Sequence, residues 1–171
     1  MNKTHIHIIK TGGTIEFKDP GYENVNTQMM KLDTSIDTYL KNMVKPHFAY
    51  TIESVCEKDS RDVTDEDRNK LINAIEHTSH SNIVITHGTY TMGQTAKYLN
   101  KHFIGKDLKK KIILTGSMIP VVGFSMSDAA FNLGYCMASF DHLKPGVYIS
   151  MNGGIFKPNE VEKNSELLRF E

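Results

Sequence analysis

NIVITHGTYTMGQTAKYLNKHFIGKDLKKKIILT, residues 82–115, sets two short apolar runs on either side of a segment with helical period. The runs at 82–86 and 111–115 are rich in Ile, Val or Leu without polar alternation, as strands covered on both faces are. Strand, helix and strand over this length make a right-handed βαβ unit, whose strands lie parallel. The alternation continues in both directions along the chain. Strands are also predicted at 5–10, 48–56 and 147–151, and helices near 35–43, 65–78, 93–103 and 127–140. Thr64, three residues before Asp67, resembles a capping box, with Asp65 and Glu66 favouring the positive end of the helix dipole. Leu71, Ile72 and Ile75 then form the buried stripe of that helix. The expected fold is α/β: an open, mainly parallel, flavodoxin-like sheet flanked by helices on both faces, forming one domain over residues 1–171.

Composition narrows the class of function. With 39% apolar and 23% charged residues the chain reads as a soluble globular protein, and 20 Lys plus Arg balance 20 Asp plus Glu, so no net charge draws it to a polyanion. The run Lys109-Lys110-Lys111 leads straight into apolar 112–114 and reads as a solvated strand entrance, so no nucleic-acid partner is expected. No run approaches the length of a membrane span and the amino terminus lacks an apolar signal core, which points to a cytoplasmic protein without a membrane partner. Cys56 and Cys136 sit in apolar stretches and are expected as buried reduced thiols. His77 and His80 fall outside any HExxH or paired Cys/His spacing, so no metal is expected and a cofactor-free reaction is the simpler expectation.

In open parallel sheets, ligands bind beyond the carboxyl ends of the strands. Glycines and small hydroxyl residues follow every predicted strand or stand close to its end. They are Thr11-Gly12-Gly13-Thr14, Asp59-Ser60-Arg61-Asp62, His87-Gly88-Thr89-Tyr90-Thr91, Gly116-Ser117-Met118 and Asn152-Gly153-Gly154. The first turn has neither GxGxxG nor GK[ST], so it does not read as a phosphate loop. Thr14 is the candidate nucleophile, because a hydroxyl on a glycine turn can project into the crevice while neighbouring amides receive an oxyanion. There is no GxSxG elbow and no plain Ser-His-Asp or Cys-His set, so a different base must serve it. His87 reads as a structural hydrogen-bonding residue at the end of its strand.

The segments TGGTI at 11–15, HGTYTM at 87–92, TGSMIP at 115–120 and SDAAFNL at 127–133 resemble, in order and spacing, the signatures of the asparaginase and glutaminase amidohydrolase family. KDSRDVT at 58–64 resembles that family's substrate-holding loop, and the resemblance spans essentially the whole chain. It implies the fold of the family's amino-terminal domain. It implies also that Thr14 is the first catalytic threonine, Tyr22 the lid tyrosine that activates it, Thr89 the second catalytic threonine and Lys163 the lysine beside Thr89. A desolvated lysine can give up its proton and act as a base. By the same resemblance Ser60 and Arg61 would hold a substrate carboxylate, and Gly13, Gly88, Tyr90, Ser117 and Met118 would line the pocket.

Two departures qualify the match. Tyr90 stands where the family has an aspartate that grips the substrate α-ammonium and orients the threonine–lysine pair, and a neutral phenol replaces only part of such a charge-assisted contact. The sequence also stops soon after Lys163, without the family's carboxy-terminal domain, which closes the pocket and adds another acidic contact. The preferred reading is an amidohydrolase acting on a small carboxylate-bearing amide through a threonine nucleophile, with L-asparagine a poor or secondary substrate. The alternative is a catalytically impaired module that binds a small carboxylate or amide, and a third reading is a nucleotide or flavin binder sharing only the sheet. The expected partner is the small-molecule amide or carboxylate, and the site is closed by a lid over 17–28, by another copy of the chain in a homo-oligomer, or by nothing.

Overall fold

The computed structural model describes residues 4–16, 35–121 and 126–171. Strands β1 (His5–Gly12), β2 (Ala49–Lys58), β3 (Asn82–Thr86), β4 (Lys111–Thr115) and β5 (Gly146–Met151) run parallel, and β6 (Gly154–Phe156) closes one edge antiparallel. The order is β2-β1-β3-β4-β5-β6, the flavodoxin-like order expected from the alternation of elements. The chain passes from β1 to β2 on one side and then crosses to β3 on the other. The switch point of the sheet therefore lies between β1 and β3, the place where ligands bind in sheets of this kind.

Helices α1 (Ser35–Thr38), which continues as a π-helical turn over Tyr39–Val44, α2 (Asp65–His77), α3 (Met92–Phe103) and α4 (Ala129–Ser139) cover the sheet. Alternation along the strands decides which side each helix takes. Ile83, Ile85, Ile112 and Leu114 pack with Leu71, Ile75, Ala96 and Leu99 of α2 and α3, whereas Val84 and Ile113 pack with Ile36, Leu133 and Cys136 of α1 and α4. Both faces are thus apolar and both are covered, which is why the central strands show no polar alternation. Edge strand β2 is mostly half-buried or exposed. Of the cysteines, Cys136 is fully buried and Cys56, on that edge, only half-buried, and both are free thiols. Among the described residues no helix is long and apolar enough to cross a membrane.

Thr64 and Asp67 form the expected capping box at the start of α2. The lysine run before β4 behaves otherwise than its sequence suggested. The Lys110 ammonium donates to the carbonyls of Ile75, Glu76 and Thr78 at the end of α2, and Lys111 donates to the Phe140 carbonyl at 2.5 Å after α4. Two of the three lysines therefore cap helix carboxyl ends, where a cation meets the negative end of the dipole. A two-stranded ribbon of β7 (Lys163–Asn164) and β8 (Arg169–Phe170) follows β6. These short strands after β5 were not expected from the pattern.

Candidate active site

Three backbones meet at the switch point. Gly13 has φ +82°, and a Cβ there would lie 2.4 Å from the Gly88 nitrogen; a Cβ on Gly88 would in turn lie 2.7 Å from the Ser60 side chain. Only glycines let the turns after β1 and β3 and the loop after β2 touch this closely. Thr14 follows Gly13 directly and is half-buried at the start of a 3-10 turn, and its hydroxyl has no hydrogen-bond partner among the described residues. The Gly13 amide is engaged by the Lys58 carbonyl at 2.9 Å, whereas the amides of Gly88 and Thr89 donate to no carbonyl among the described residues.

Thr89 is buried, and its Oγ1 accepts from Lys163 Nζ at 2.9 Å while donating to Met118 Sδ at 3.7 Å. The ribbon of β7 and β8 thus delivers Lys163 across 74 residues of sequence. Lys163 is half-buried, and desolvation pushes its ammonium below the ordinary lysine range. Its Nζ also stands 3.9 Å from the centroid of the Tyr90 ring. Tyr90 itself is largely exposed.

The loop holding Ser60 and Arg61 is closed at its base by one carboxylate. Asp67 accepts from Lys58 Nζ at 2.7 Å and from the Thr64 backbone and hydroxyl at 2.9 Å each, so both ends of the 58–64 loop converge on it. The Lys58 ammonium and then the Thr64 amide hold its carboxyl down at about 2. Inside the loop, Arg61 forms a two-pronged pair with Asp59, Nε to Oδ1 at 3.0 Å and Nη2 to Oδ2 at 3.1 Å. That pair lowers the Asp59 carboxyl and leaves fewer Arg61 donors for a ligand. The Ser60 and Ser117 hydroxyls are buried without hydrogen-bond partners among the described residues, which suits groups that a bound polar ligand would satisfy. Tyr22 lies outside the described residues, as does the 17–28 segment.

Several supporting residues were not singled out from the sequence. Asp128 accepts from the Met118 and Ile119 amides and so fixes the turn after β4. Asn132, four residues on, donates to the Gly116 carbonyl at 3.0 Å and accepts from the Asn152 amide at 3.0 Å, while Asn152 Oδ1 accepts from the Phe170 amide at 3.0 Å. This relay ties the turns after β4 and β5 to the ribbon that carries Lys163. The sequence shows only that Asp128 and Asn132 stand at i and i+4 in SDAAFNL, on one side of a helix; their partners in the turns after β4 and β5 leave no such mark. His87 is fully buried at the end of β3. Its Nδ1 donates to the Gly88 carbonyl at 2.8 Å, and its Nε2 accepts from Thr95, which in turn accepts from Arg68. Burial pushes this imidazole down to about 4, so it is neutral and structural at neutral pH.

A doubly wound sheet with hydroxyl-bearing turns and a threonine–lysine pair near its switch point defines an α/β protein whose polar groups gather at the carboxyl ends of its strands. The family described as "Asparaginase, N-terminal" matches residues 5–168, and the chain belongs to that family. The probable periplasmic L-asparaginase of Haemophilus influenzae is 32% identical over 168 residues, covering 94% of this chain and 46% of the relative. The glutaminase-asparaginase of Acinetobacter glutaminasificans is 30% identical over 170 residues, covering 94% and 50%. The crystal structure of L-asparaginase I from Vibrio cholerae superposes with a TM-score of 0.79 at 27% identity, over 99% of this chain and 51% of that one. The chain spans about half the length of the curated relatives it matches.

Proposed function

We propose that the crevice is the catalytic half of an amidohydrolase that acts on a small amide bearing a carboxylate, with Thr14 as nucleophile. The observation that carries this reading is the 2.9 Å contact between a half-buried, partner-poor lysine and the Thr89 hydroxyl, beside the backbone contact that brings Gly13 against Gly88. The Thr14 oxygen adds to the amide carbon, and its proton passes to a base. Thr89 and Lys163 serve as that base or return the proton to the leaving nitrogen, with Tyr22 assisting as the family resemblance implies. Collapse releases ammonia and leaves an ester on Thr14, which water then hydrolyses. The amides of Gly88 and Thr89, which donate to no carbonyl among the described residues, are the candidate oxyanion donors. Ser60 and Ser117, whose buried hydroxyls have no partner among the described residues, offer donors for the substrate's polar end.

Substrate preference follows from Tyr90. An α-ammonium would need a negative partner, and the ring face that could offer one is already occupied by Lys163 at 3.9 Å. A carboxylate-bearing amide without an α-amino group therefore suits the site better than L-asparagine.

The test is ammonia release from a panel of carboxylate-bearing amides by the purified chain. Thr14→Ala is expected to reduce turnover on the order of 10³-fold or more. Tyr90→Asp is expected to raise activity on L-asparagine about 10-fold or more by restoring a charge-assisted contact. Thermal stabilisation by these amides without turnover would instead identify a binding module, and no gain from Tyr90→Asp would refute the account of substrate preference.

A further inference from the structure

Lys163 is paired unlike the ion-paired lysines among the described residues. Lys58, Lys70, Lys97 and Lys106 each meet a carboxylate, whereas among the described residues Lys163 meets a hydroxyl and an aromatic face. The second cation near the Tyr90 ring is Arg61, 5.1 Å from the centroid, and its charge is compensated by Asp59. Among the described residues that of Lys163 is not. The face of an aromatic ring is the negative part of its quadrupole and attracts an ammonium most strongly where the ammonium has lost water. Half-buried Lys163 meets that condition.

We propose that Tyr90 is a positioning residue whose ring face holds the Lys163 ammonium against the Thr89 hydroxyl, in the place of an orienting carboxylate. The inference rests on the reading of Lys163 and Thr89 as a working pair. The ring acts in two ways. It confines Nζ to the direction from which it reaches Thr89 Oγ1, and it favours the charged amine, offsetting part of the desolvation that pushes Lys163 down. Because the ring carries no formal charge, the amine can release its proton without leaving an unpaired carboxylate behind. The phenolic oxygen takes no part in this. Phenylalanine offers the same kind of face, and leucine offers bulk without a quadrupole.

The experiment follows the protonation of Lys163 directly. Protein containing ¹³C-labelled lysine is titrated by NMR, with the Lys163 signal identified by its loss in Lys163→Arg. Tyr90→Phe is expected to leave the titration midpoint in place, and Tyr90→Leu to lower it by about half to one pH unit. A midpoint that stays or rises in Tyr90→Leu overturns the proposal, as does a fall in Tyr90→Phe as large as that in Tyr90→Leu. Circular dichroism checks folding, which an exposed loop side chain is not expected to disturb. The acid limb of kcat/KM is measured in parallel. A limb that moves with the NMR midpoint supports Lys163 as base, whereas a shifted midpoint with an unmoved limb keeps the ring's hold and rejects the base.

Discussion

At the scale of single residues, Gly13 is the position where one methyl group is expected to do most. Its φ of +82° disfavours any Cβ, and the atom a Cβ would strike is backbone, the Gly88 nitrogen. Gly13→Ala should therefore cost about 2–4 kcal/mol in urea unfolding and remove turnover, because the turn after β1 must retreat from the turn after β3. His87 gives a prediction in pH. Its imidazole takes a proton near 6.5 when unfolded and only near 4 when folded, so the unfolded chain binds more protons between those values. Stability should fall as pH drops from 6.5 to about 4, by up to roughly 3 kcal/mol, and His87→Gln should flatten most of that slope in urea midpoints. Much of this residue-level picture was legible, because strand ends in a parallel sheet converge and the sequence marks each with glycine or a hydroxyl. The direction of the Tyr90 ring was not. A pattern records that a carboxylate is missing, and only geometry shows that a cation lies over the aromatic face instead.

Whole elements are held by contacts that sequence reveals unevenly. The Thr64 cap could be read in advance, since its partners are three residues apart, and Thr64→Ala should cost about 1 kcal/mol, measurable as a lower urea midpoint. The Asn132 relay could not, because its partners come from turns brought together only by the strand order. Asn132→Ala leaves the Asn152 amide and the Gly116 carbonyl without their partner, and should cost about 2–3 kcal/mol. It should also speed hydrogen exchange at the Phe170 amide, because Asn152 loses its own anchor. The short strands after β5 escaped prediction because two or three residues are too few for a period of two to show. Lys110 and Lys111 were misread for a related reason: the carbonyls they cap belong to helices elsewhere in sequence.

For the molecule as a whole, one sheet separates two apolar layers that share its central strands, so loss of those strands dismantles both layers together. The isolated chain is expected to unfold in a single cooperative step, with far-UV circular dichroism and tyrosine fluorescence giving the same urea midpoint. Non-coincident curves would show that the two faces melt separately. The parallel, flavodoxin-like arrangement was legible because it follows from alternation and handedness. The clasp formed by Asp67 has a wider use. Lys58 and Thr64 are gripped from outside the stretch between them, so that stretch resembles an exchangeable cartridge seated in a fixed socket. Replacing residues 59–63 with segments from relatives should retune which acid is welcomed while the scaffold beneath keeps its shape.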